Sequence, residues 1–227
     1  MKATAESTTV IKLERTLYHQ QPFQVSLNDP NAGLVKAWGL GVLRKHAFYH
    51  YCQERFLKKS TPIKVRVFLM LAMFRVDSQS EDHAKLVNHL VDKAKALNLP
   101  AAMVNAVLRR YLIEKSKLEQ KTRGVVGIQY NMRKELLDKI KEQHQSWREV
   151  VRCMQQESRI CLRVNPRKIS QQAFIAELDK QKVLYHKDSQ SGAIILLKST
   201  NILLIPGYEQ GWFAVISAAN QQMIQAL

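Results

Sequence analysis

The sequence predicts an all-α helical bundle followed by a small α+β domain. Apolar residues recur with the 3.6-residue period of an amphipathic helix, segment after segment, through residues 1–157. After Ser158 the pattern changes to short apolar runs separated by turn residues, which is typical of strands. With 46% hydrophobic residues and only 8 glycines and 6 prolines, the chain has enough apolar side chains for packed cores.

The first three predicted helices are placed by their apolar stripes and by one proline. Two stripes define the first two helices: Val10, Leu13 and Leu17, then Leu34, Trp38 and Val42 on a helix from about 31 to 57. Thr61 is expected to cap the third helix, with Pro62 at its first position, where the missing N–H would have no intrahelical partner. Residues 62–75 are apolar nearly all round, which predicts a central core helix.

Further helices complete the predicted bundle. Ser80 is expected to cap a helix that ends near Leu97, because two acidic residues follow it in the first turn. Pro100 opens the next helix, whose apolar face consists of Val104, Val107, Leu108 and Tyr111. Glycines at 124 and 127 end that block, and amphipathic segments follow at about 132–142 and 146–156.

The remaining residues predict strands with helices between and after them. A strand at 160–164 ends at an Asn-Pro turn, and Ser170 is expected to cap a helix. Further strands are predicted at 184–185, 193–197 and 202–205, and a helix from about 217 to 227. We therefore expect a helical domain at 1–145 and an α+β domain at 146–227 that starts with helical residues.

The net charge of the chain indicates which class of partner it binds. The 35 lysines and arginines against 19 acidic residues give a net charge of +16, of which residues 1–145 contribute +12. Such an excess on a folded protein favours an anionic partner, nucleic acid before an acidic membrane surface. The apolar run 67–74 is too short to span a bilayer, and the first residues show no secretory signal. We therefore expect a soluble cytoplasmic protein without a membrane partner.

The motifs predict neither a catalytic site nor a metal site. Gly39-Leu40-Gly41 lacks the third glycine of a dinucleotide loop and lies in a helical pattern, so we interpret it as a close helix–helix contact. His46 and His50 have the spacing of a metal pair but no acidic or cysteine ligand near them, and we interpret them as packed or solvated histidines. The three cysteines form no CxxC pair and predict no disulfide framework.

The basic residues on the predicted helices are the most informative pattern for function. Asn105 and Arg109 are one helical turn apart, on the side away from the apolar face. Such a basic face with few acids binds phosphates by charge and by counterion release. The predicted RNA contacts are Arg44, Lys45, Asn105, Arg109, Arg110 and Lys115, with Arg163 and Arg167 in the α+β domain. For Arg109, a buried structural ion pair is the alternative.

Four segments together resemble a known family. Gly-Val-Leu-Arg at 41–44 and Val-Asn-Ala-Val-Leu-Arg-Arg at 104–110 resemble the NusB-like helical domain. That domain occurs alone as a transcription antitermination factor, and at the N-terminus of the RsmB/Sun group of bacterial 16S rRNA 5-methylcytosine methyltransferases. Leu-Arg-Val-Asn-Pro at 162–166 resembles that group's LRVN strand, and 205–215 resembles its LPGFxxGWxxVQD segment. A free antitermination factor has neither, so the resemblance favours the methyltransferase group.

The resemblance also implies a catalytic domain that is not found in this sequence. In the family, a doubly wound α/β domain binds S-adenosylmethionine through an AAPGGKT-type loop and uses two cysteines for catalysis. The sequence contains neither that loop nor a Pro-Cys nucleophile, so we expect the S-adenosylmethionine-binding domain to be absent, as in a truncated enzyme. No cofactor is expected in this chain, and its cysteines inherit no catalytic role.

The resulting hypothesis is the RNA-binding, non-catalytic N-terminal portion of a 16S rRNA cytosine-5 methyltransferase. The α+β domain of this chain resembles the domain that positions rRNA for methylation in the RsmB/Sun group. The expected partners are 16S rRNA and a separate or missing methyltransferase domain. The alternative is a stand-alone NusB-like regulator of transcription antitermination that binds RNA or a ribosomal protein, and whether the chain serves an active enzyme stays open.

Overall fold

The computed structural model describes residues 4–26, 28–79, 82–156, 158–198 and 200–225. The chain forms two compact units, which we call the helical unit, Met1–Gln155, and the α+β unit, Gln156–Leu227. Each unit buries an apolar cluster of its own. A helical bundle followed by a small α+β domain confirms the predicted fold class.

The helical unit follows the predicted periodicity closely. Its helices are α1 Ala5–His19, α2 Ala32–Arg44, α3 His46–Phe56, α4 Ile63–Ser78, α5 His83–Ala96, α6 Ala101–Thr122, α7 Val126–Gln129, α8 Lys134–Gln143 and α9 Trp147–Met154. Within the described ranges, none of the helices combines the length and the hydropathy that a bilayer crossing requires.

Helix α4 lies at the centre of the helical unit, as its all-round apolar sequence predicted. It contacts α1, α2, α3, α5 and α6, and Phe68, Leu69 and Met70 are fully buried. Complete burial of one such side chain contributes about 2 kcal/mol. Gly41 of α2 lies so close to Phe74 of α4 that an added Cβ would meet a ring carbon at 2.2 Å. This contact confirms the interpretation of the Gly-Leu-Gly segment.

Three helix boundaries differ from the prediction. The expected helix 31–57 is two helices that meet at Lys45, and Leu34 is half-exposed rather than on a buried stripe. Pro62 rather than Thr61 caps α4, because Thr61 closes the preceding turn with its N–H donating to the Lys58 carbonyl at 3.0 Å. The predicted cap Ser80 lies outside the described residues, and Asp82 accepts from the backbone N–H groups at the start of α5.

A distant asparagine stabilises the break between α2 and α3. The side chain of Asn131 accepts a hydrogen bond from Ala47 N–H at 2.7 Å and donates one to the Leu43 carbonyl at 2.8 Å. A helix interruption frees backbone groups on both sides, and these groups need new partners when they are partly buried. Asn131 supplies both partners, with its own backbone in the left-handed region at φ 45°.

The helical unit extends past the boundary expected at 145/146. Val151 of α9 is fully buried and packs with Leu137 and Ile140 of α8 and with Tyr130. The Tyr130 ring also meets Trp147 edge-on, with centroids 5.9 Å apart. A boundary at 145/146 would separate α8 from α9 and divide this cluster, which is why the compact unit ends at Gln155 instead.

The α+β unit is a four-stranded antiparallel sheet with helices. Its elements are β1 Cys161–Val164, α10 Gln171–Lys180, β2 Tyr185–Lys187, β3 Ile194–Leu196, β4 Phe213–Val215 and α11 Ala218–Gln225. The strand order is β2-β3-β1-β4. Leu162, Ile194 and Leu196 of the sheet pack against Phe174 and Leu178 of α10. As predicted, Ser170 caps α10 by accepting from Ala173 N–H at 3.2 Å.

Two elements of the α+β unit differ from the prediction. The residues expected to form a strand at 202–205 contain a 3-10 helix, Ile202–Leu204. The Asn201 side chain accepts from Leu203 N–H at 3.1 Å, which favours a turn over an extended strand. Strand β4 was not predicted, because it has only three residues and is held by pairing with β1.

Candidate nucleic-acid interface

Two of the lysines predicted to bind RNA converge on one buried carboxylate. Asp77, near the end of α4, has a side chain that is 3% exposed. Lys115 Nζ lies 2.7 Å from one of its oxygens, and Lys45 Nζ lies 3.6 Å from the other. The hydroxyls of Tyr49 and Tyr111 donate to the same carboxylate at 3.1 and 3.0 Å. We call these five residues the Asp77 cluster.

The Asp77 cluster keeps its hydroxyl groups protonated. Burial, followed by the Asp77 charge, raises the pKa of Tyr49 and of Tyr111 well above the ordinary range. The same two causes raise the pKa of the neighbouring Cys52 thiol to about 12. The tyrosines therefore act as hydrogen-bond donors, and the two lysines compensate a buried negative charge. Part of the lysine charge is engaged within the protein rather than open to RNA.

Arg109 and Arg110 occupy the exposed side of α6. Arg109 Nε donates to Asn105 Oδ1 at 3.0 Å, which confirms the predicted contact one turn apart. Arg109 is exposed, so the alternative of a buried ion pair is wrong for it. Arg110 Nε donates to Glu114 at 2.7 Å, and its guanidinium lies 4.8 Å from the centre of the Phe56 ring. These arginines are placed where an external anion can reach them.

The other three predicted arginines belong to other parts of the chain. Arg44 ends α2 and is partly buried. Arg163 belongs to β1, where it is exposed and pairs in register with Ala214 of β4. Arg167 is exposed in the connection after β1, and its N–H donates to Asn165 Oδ1 at 3.1 Å. An RNA-binding role for the eight predicted residues stays a prediction.

A second buried carboxylate was not predicted. Glu6 of α1 is 5% exposed and lies 3.6 Å from Arg75 and 3.5 Å from His89. The Arg75 guanidinium lies 4.2 Å from the centre of the Trp38 ring, and burial lowers its pKa while Glu6 opposes that change. The available signal was the presence of Arg75 and Asp77 directly after the apolar run 67–74 of α4, since buried charges require partners.

The two segments that resemble the family's motifs in the α+β unit lie against each other. Asn165 donates from its backbone N–H to the Trp212 carbonyl at 2.8 Å and from its side chain to the Gly211 carbonyl at 3.2 Å. Gly207 has φ +81°, and an added Cβ would lie 2.2 Å from the Trp212 ring. Only glycine tolerates both that φ and that ring contact. The motif residues therefore hold the turn that leads into β4.

The α+β unit does not fit S-adenosylmethionine. Its described strands pair antiparallel, and β1 is joined to α10 by residues 165–170, which contain no glycine. A doubly wound nucleotide-type domain binds its ligand at the carboxyl ends of parallel strands, where a glycine-rich loop lets the backbone approach it. We therefore assign no step through this cofactor to the described residues.

His46 is partly buried and His50 is exposed. The rings of His46 and His50 have centroids 6.0 Å apart. Burial, and then the neighbouring His50, lowers the pKa of His46, which favours its neutral form. In the part of the chain that the structure describes, no group of three or more His, Cys, Asp or Glu residues is arranged to hold a metal ion.

Comparisons with known proteins relate this chain to rRNA methyltransferases. A family profile described as the RsmF/B-like methyltransferase ferredoxin-like domain matches residues 134–203. The chain is also similar to proteins named ribosomal RNA small subunit methyltransferase B. The one from Erwinia tasmaniensis is 26% identical over 90% of this chain and 49% of the relative. The one from Vibrio cholerae is 23% identical, over 93% and 51%.

Further comparisons agree on the extent of the match. A probable ribosomal RNA small subunit methyltransferase B from Coxiella burnetii is 24% identical over 87% of this chain and 47% of its own length. The chain thus spans about half the length of the curated relatives it matches. The crystal structure of PH0851 shares the fold, with a TM-score of 0.59 at 12% identity, over 95% of this chain and 54% of that one. The resemblance to the RsmB group that the motifs predicted is therefore confirmed as a similarity over most of this chain and about half of each relative.

Proposed function

We propose that this chain binds 16S rRNA in the cytoplasm and positions it for cytosine-5 methylation, without transferring the methyl group itself. The observation that carries the proposal is the similarity, over 87–93% of the chain, to proteins named ribosomal RNA small subunit methyltransferase B. We assign methyl transfer and S-adenosylmethionine to a methyltransferase domain outside the described residues, on the same or on a separate chain.

The charge of the helical unit supports RNA binding. Residues 1–155 contain 27 basic and 14 acidic residues, a net charge of +13. Positive charge on a folded surface attracts the phosphate backbone and releases its condensed counterions on binding. The exposed face of α6, which carries Arg109 and Arg110, supplies cations that no buried carboxylate neutralises.

Positioning is a large part of the task in base methylation. An enzyme that acts on a ring carbon of cytosine must expose the base or remove it from its stack. Contacts to phosphates fix the register of the nucleic acid without reading its sequence. A basic helical unit in the same protein as a domain of the RsmF/B-like type suits that role.

Salt-dependent binding tests the proposal. Binding of the chain to a 16S rRNA fragment is measured by fluorescence anisotropy over a series of salt concentrations. The logarithm of the binding constant should fall steeply and linearly with the logarithm of the salt concentration. Arg109→Ala should reduce that slope by about 1, as expected for one phosphate contact. Lys95→Ala is the matched control, because it removes an exposed cation that pairs with Asp92 outside the predicted set.

Two results would contradict the proposal. A salt-independent affinity would show that phosphate contacts do not drive binding, and negligible RNA affinity with capture of a ribosomal protein at high salt would favour the antitermination alternative. Calorimetry with S-adenosylmethionine should give no binding heat, and a saturable heat would overturn the assignment of the cofactor to another domain.

A further inference from the structure

We propose that two arginines stacked on aromatic rings form a surface for unpaired RNA bases. This inference rests on the proposed RNA-binding function and adds the form of RNA that the surface prefers, a single strand rather than a duplex. The surface consists of Arg55 with Tyr51 and Arg110 with Phe56, and we call it the stacked-arginine surface.

The two stacks lie at one junction of the helical unit. The Arg55 guanidinium lies 3.6 Å from the centre of the Tyr51 ring, one turn earlier on α3, and donates to the Tyr51 carbonyl at 3.3 Å. The Arg110 guanidinium of α6 lies 4.8 Å from the centre of the Phe56 ring of α3. Arg55 and Phe56 are consecutive, so both stacks occur at the C-terminal end of α3, where α6 contacts it.

Stacking fixes the orientation of each guanidinium. Both rings are partly buried against the core of the helical unit and are held in place, and the face of each ring attracts the cation. The arginines themselves are exposed, with 52% of the Arg110 side chain accessible. A planar guanidinium beside a ring keeps its second face available, together with the N–H groups that do not already donate to Tyr51 or to Glu114. These are the groups that stack on a base and donate to a phosphate.

The form of RNA follows from this geometry. The bases of a duplex are stacked on one another and cannot present a face to a side chain, whereas unpaired bases stack on aromatic rings and on arginine planes. A surface that acts by charge alone would bind both forms. The stacked-arginine surface therefore distinguishes single strands from duplexes.

The acidic neighbours of the surface differ in their effect. Glu54 precedes Arg55 but is held by Arg66 at 3.3 Å, so it is engaged away from the stacks. Glu114 accepts from Arg110 Nε at 2.7 Å and competes with an incoming phosphate for that group. Removal of the Glu114 charge should therefore strengthen RNA binding.

The test replaces planar cations with point cations of equal charge. The double variant R55K/R110K is compared with wild type for binding to a single-stranded oligoribonucleotide and to the duplex of the same sequence. Single-strand affinity should fall about tenfold, the effect of losing stacking with roughly one base, and duplex affinity should change less than about twofold. R123K is the matched control, because Arg123 is exposed and has no ring partner among the described residues. Glu114→Gln should raise single-strand affinity about twofold.

The outcomes separate this inference from the proposed function. If wild type binds neither form of RNA, the proposed function fails. If wild type binds RNA but R55K/R110K keeps its single-strand affinity, or loses both affinities equally, the stacked-arginine surface is overturned and RNA binding stands. The thermal unfolding midpoint of each variant is measured alongside. Should R55K/R110K fail to fold, the single variant R110K and Glu114→Gln give the same decision, and unchanged single-strand affinity in both contradicts the proposal.

Discussion

Lys115 and Arg110 lie on the same helix, little more than one turn apart, yet their charges have different surroundings. Lys115 contacts Asp77, whose side chain is 3% exposed, whereas Arg110 contacts Glu114, whose side chain is 33% exposed. When a buried ion pair loses one partner, the other charge is left uncompensated, which lowers the free energy of unfolding. An exposed ion pair contributes little to that free energy. Cations that are neighbours in sequence therefore divide into those that hold the helical unit together and those open to a ligand.

The Asp77 cluster should give the largest effect. Asp77→Ala removes the acceptor of two tyrosine hydroxyls and leaves two lysines without their counter-charge. The expected loss is about 3 kcal/mol of unfolding free energy, chiefly because the hydroxyls of the fully buried Tyr49 and Tyr111 lose their acceptor. Urea unfolding followed by far-ultraviolet circular dichroism measures it, because the helical unit dominates that signal.

Asp77→Asn is the matched control for charge. The amide oxygen can still accept from Tyr49 or Tyr111, so the loss should be smaller than for Asp77→Ala. The RNA affinity of the folded Asp77→Ala and Asp77→Asn proteins should not follow their losses of unfolding free energy. If Asp77→Ala left the unfolding free energy unchanged, the cluster would have no structural role, and Lys45 and Lys115 would return to the group of open cations.

Asn131 should give the next largest effect. Asn131→Gly keeps the left-handed backbone available but removes both side-chain hydrogen bonds that bridge α2 and α3. Two partly buried backbone groups would lose their partners, with an expected loss of about 2 kcal/mol. Urea unfolding gives the total, and hydrogen exchange at the Ala47 amide shows whether the loss is local.

Asn131→Asp is the control for the direction of each hydrogen bond. Its carboxylate can accept from Ala47 N–H but cannot donate to the Leu43 carbonyl, so it should fall between wild type and Asn131→Gly. Equal stability of all three proteins would mean that the break between α2 and α3 is fixed by other contacts.

This break also shows where prediction from sequence reaches its limit. Periodicity predicted α4 well, because an apolar residue at nearly every position leaves a central helix as the consistent arrangement. The helix predicted over 31–57 was wrong, because the residue that stabilises its interruption, Asn131, lies more than eighty positions later. Local pattern contains no information about such a partner.

The same limit applies to the candidate interface. The contact between Asn105 and Arg109 was predictable, since one helical turn fixes the distance between their side chains. The contacts of Asp77 with Lys45 and Lys115 were not, because they depend on how helices pack against one another. A basic residue count thus predicted an anionic partner, but it could not separate structural cations from exposed ones.

Alkaline pH should also lower the stability of the helical unit. The folded pKa of Cys52 is about 12 against an ordinary value of about 9, so deprotonation favours the unfolded chain. The contribution of the thiol to stability is complete below pH 9 and is lost as the pH rises from 9 towards 12. The raised pKa values of Tyr49 and Tyr111 act in the same direction. Urea unfolding at pH 8 to 11, in about unit steps, should show this decline.

Cys52→Ala separates the thiol from the other alkaline titrations. The variant should lose less stability between pH 9 and 11 than wild type, although it starts from a lower value because a buried group is missing. In the folded protein at pH 8, a thiol reagent should modify the exposed Cys153 and leave the buried Cys52 unmodified. Parallel pH curves for the two proteins would contradict this origin of the alkaline decline.

The exposed pair should give the smallest effect, and a double-mutant cycle measures it directly. Changing Arg110 and Glu114 to Ala singly and together should give a coupling of about 0.3 kcal/mol, the usual value for an exposed pair one turn apart. The same cycle on Lys115 and Asp77 should give more than about 1 kcal/mol, since that pair is largely removed from water. Equal couplings would mean that burial does not separate the two pairs. Arg110 would then be a structural cation like Lys115, and its availability to RNA would have to be judged from binding data alone.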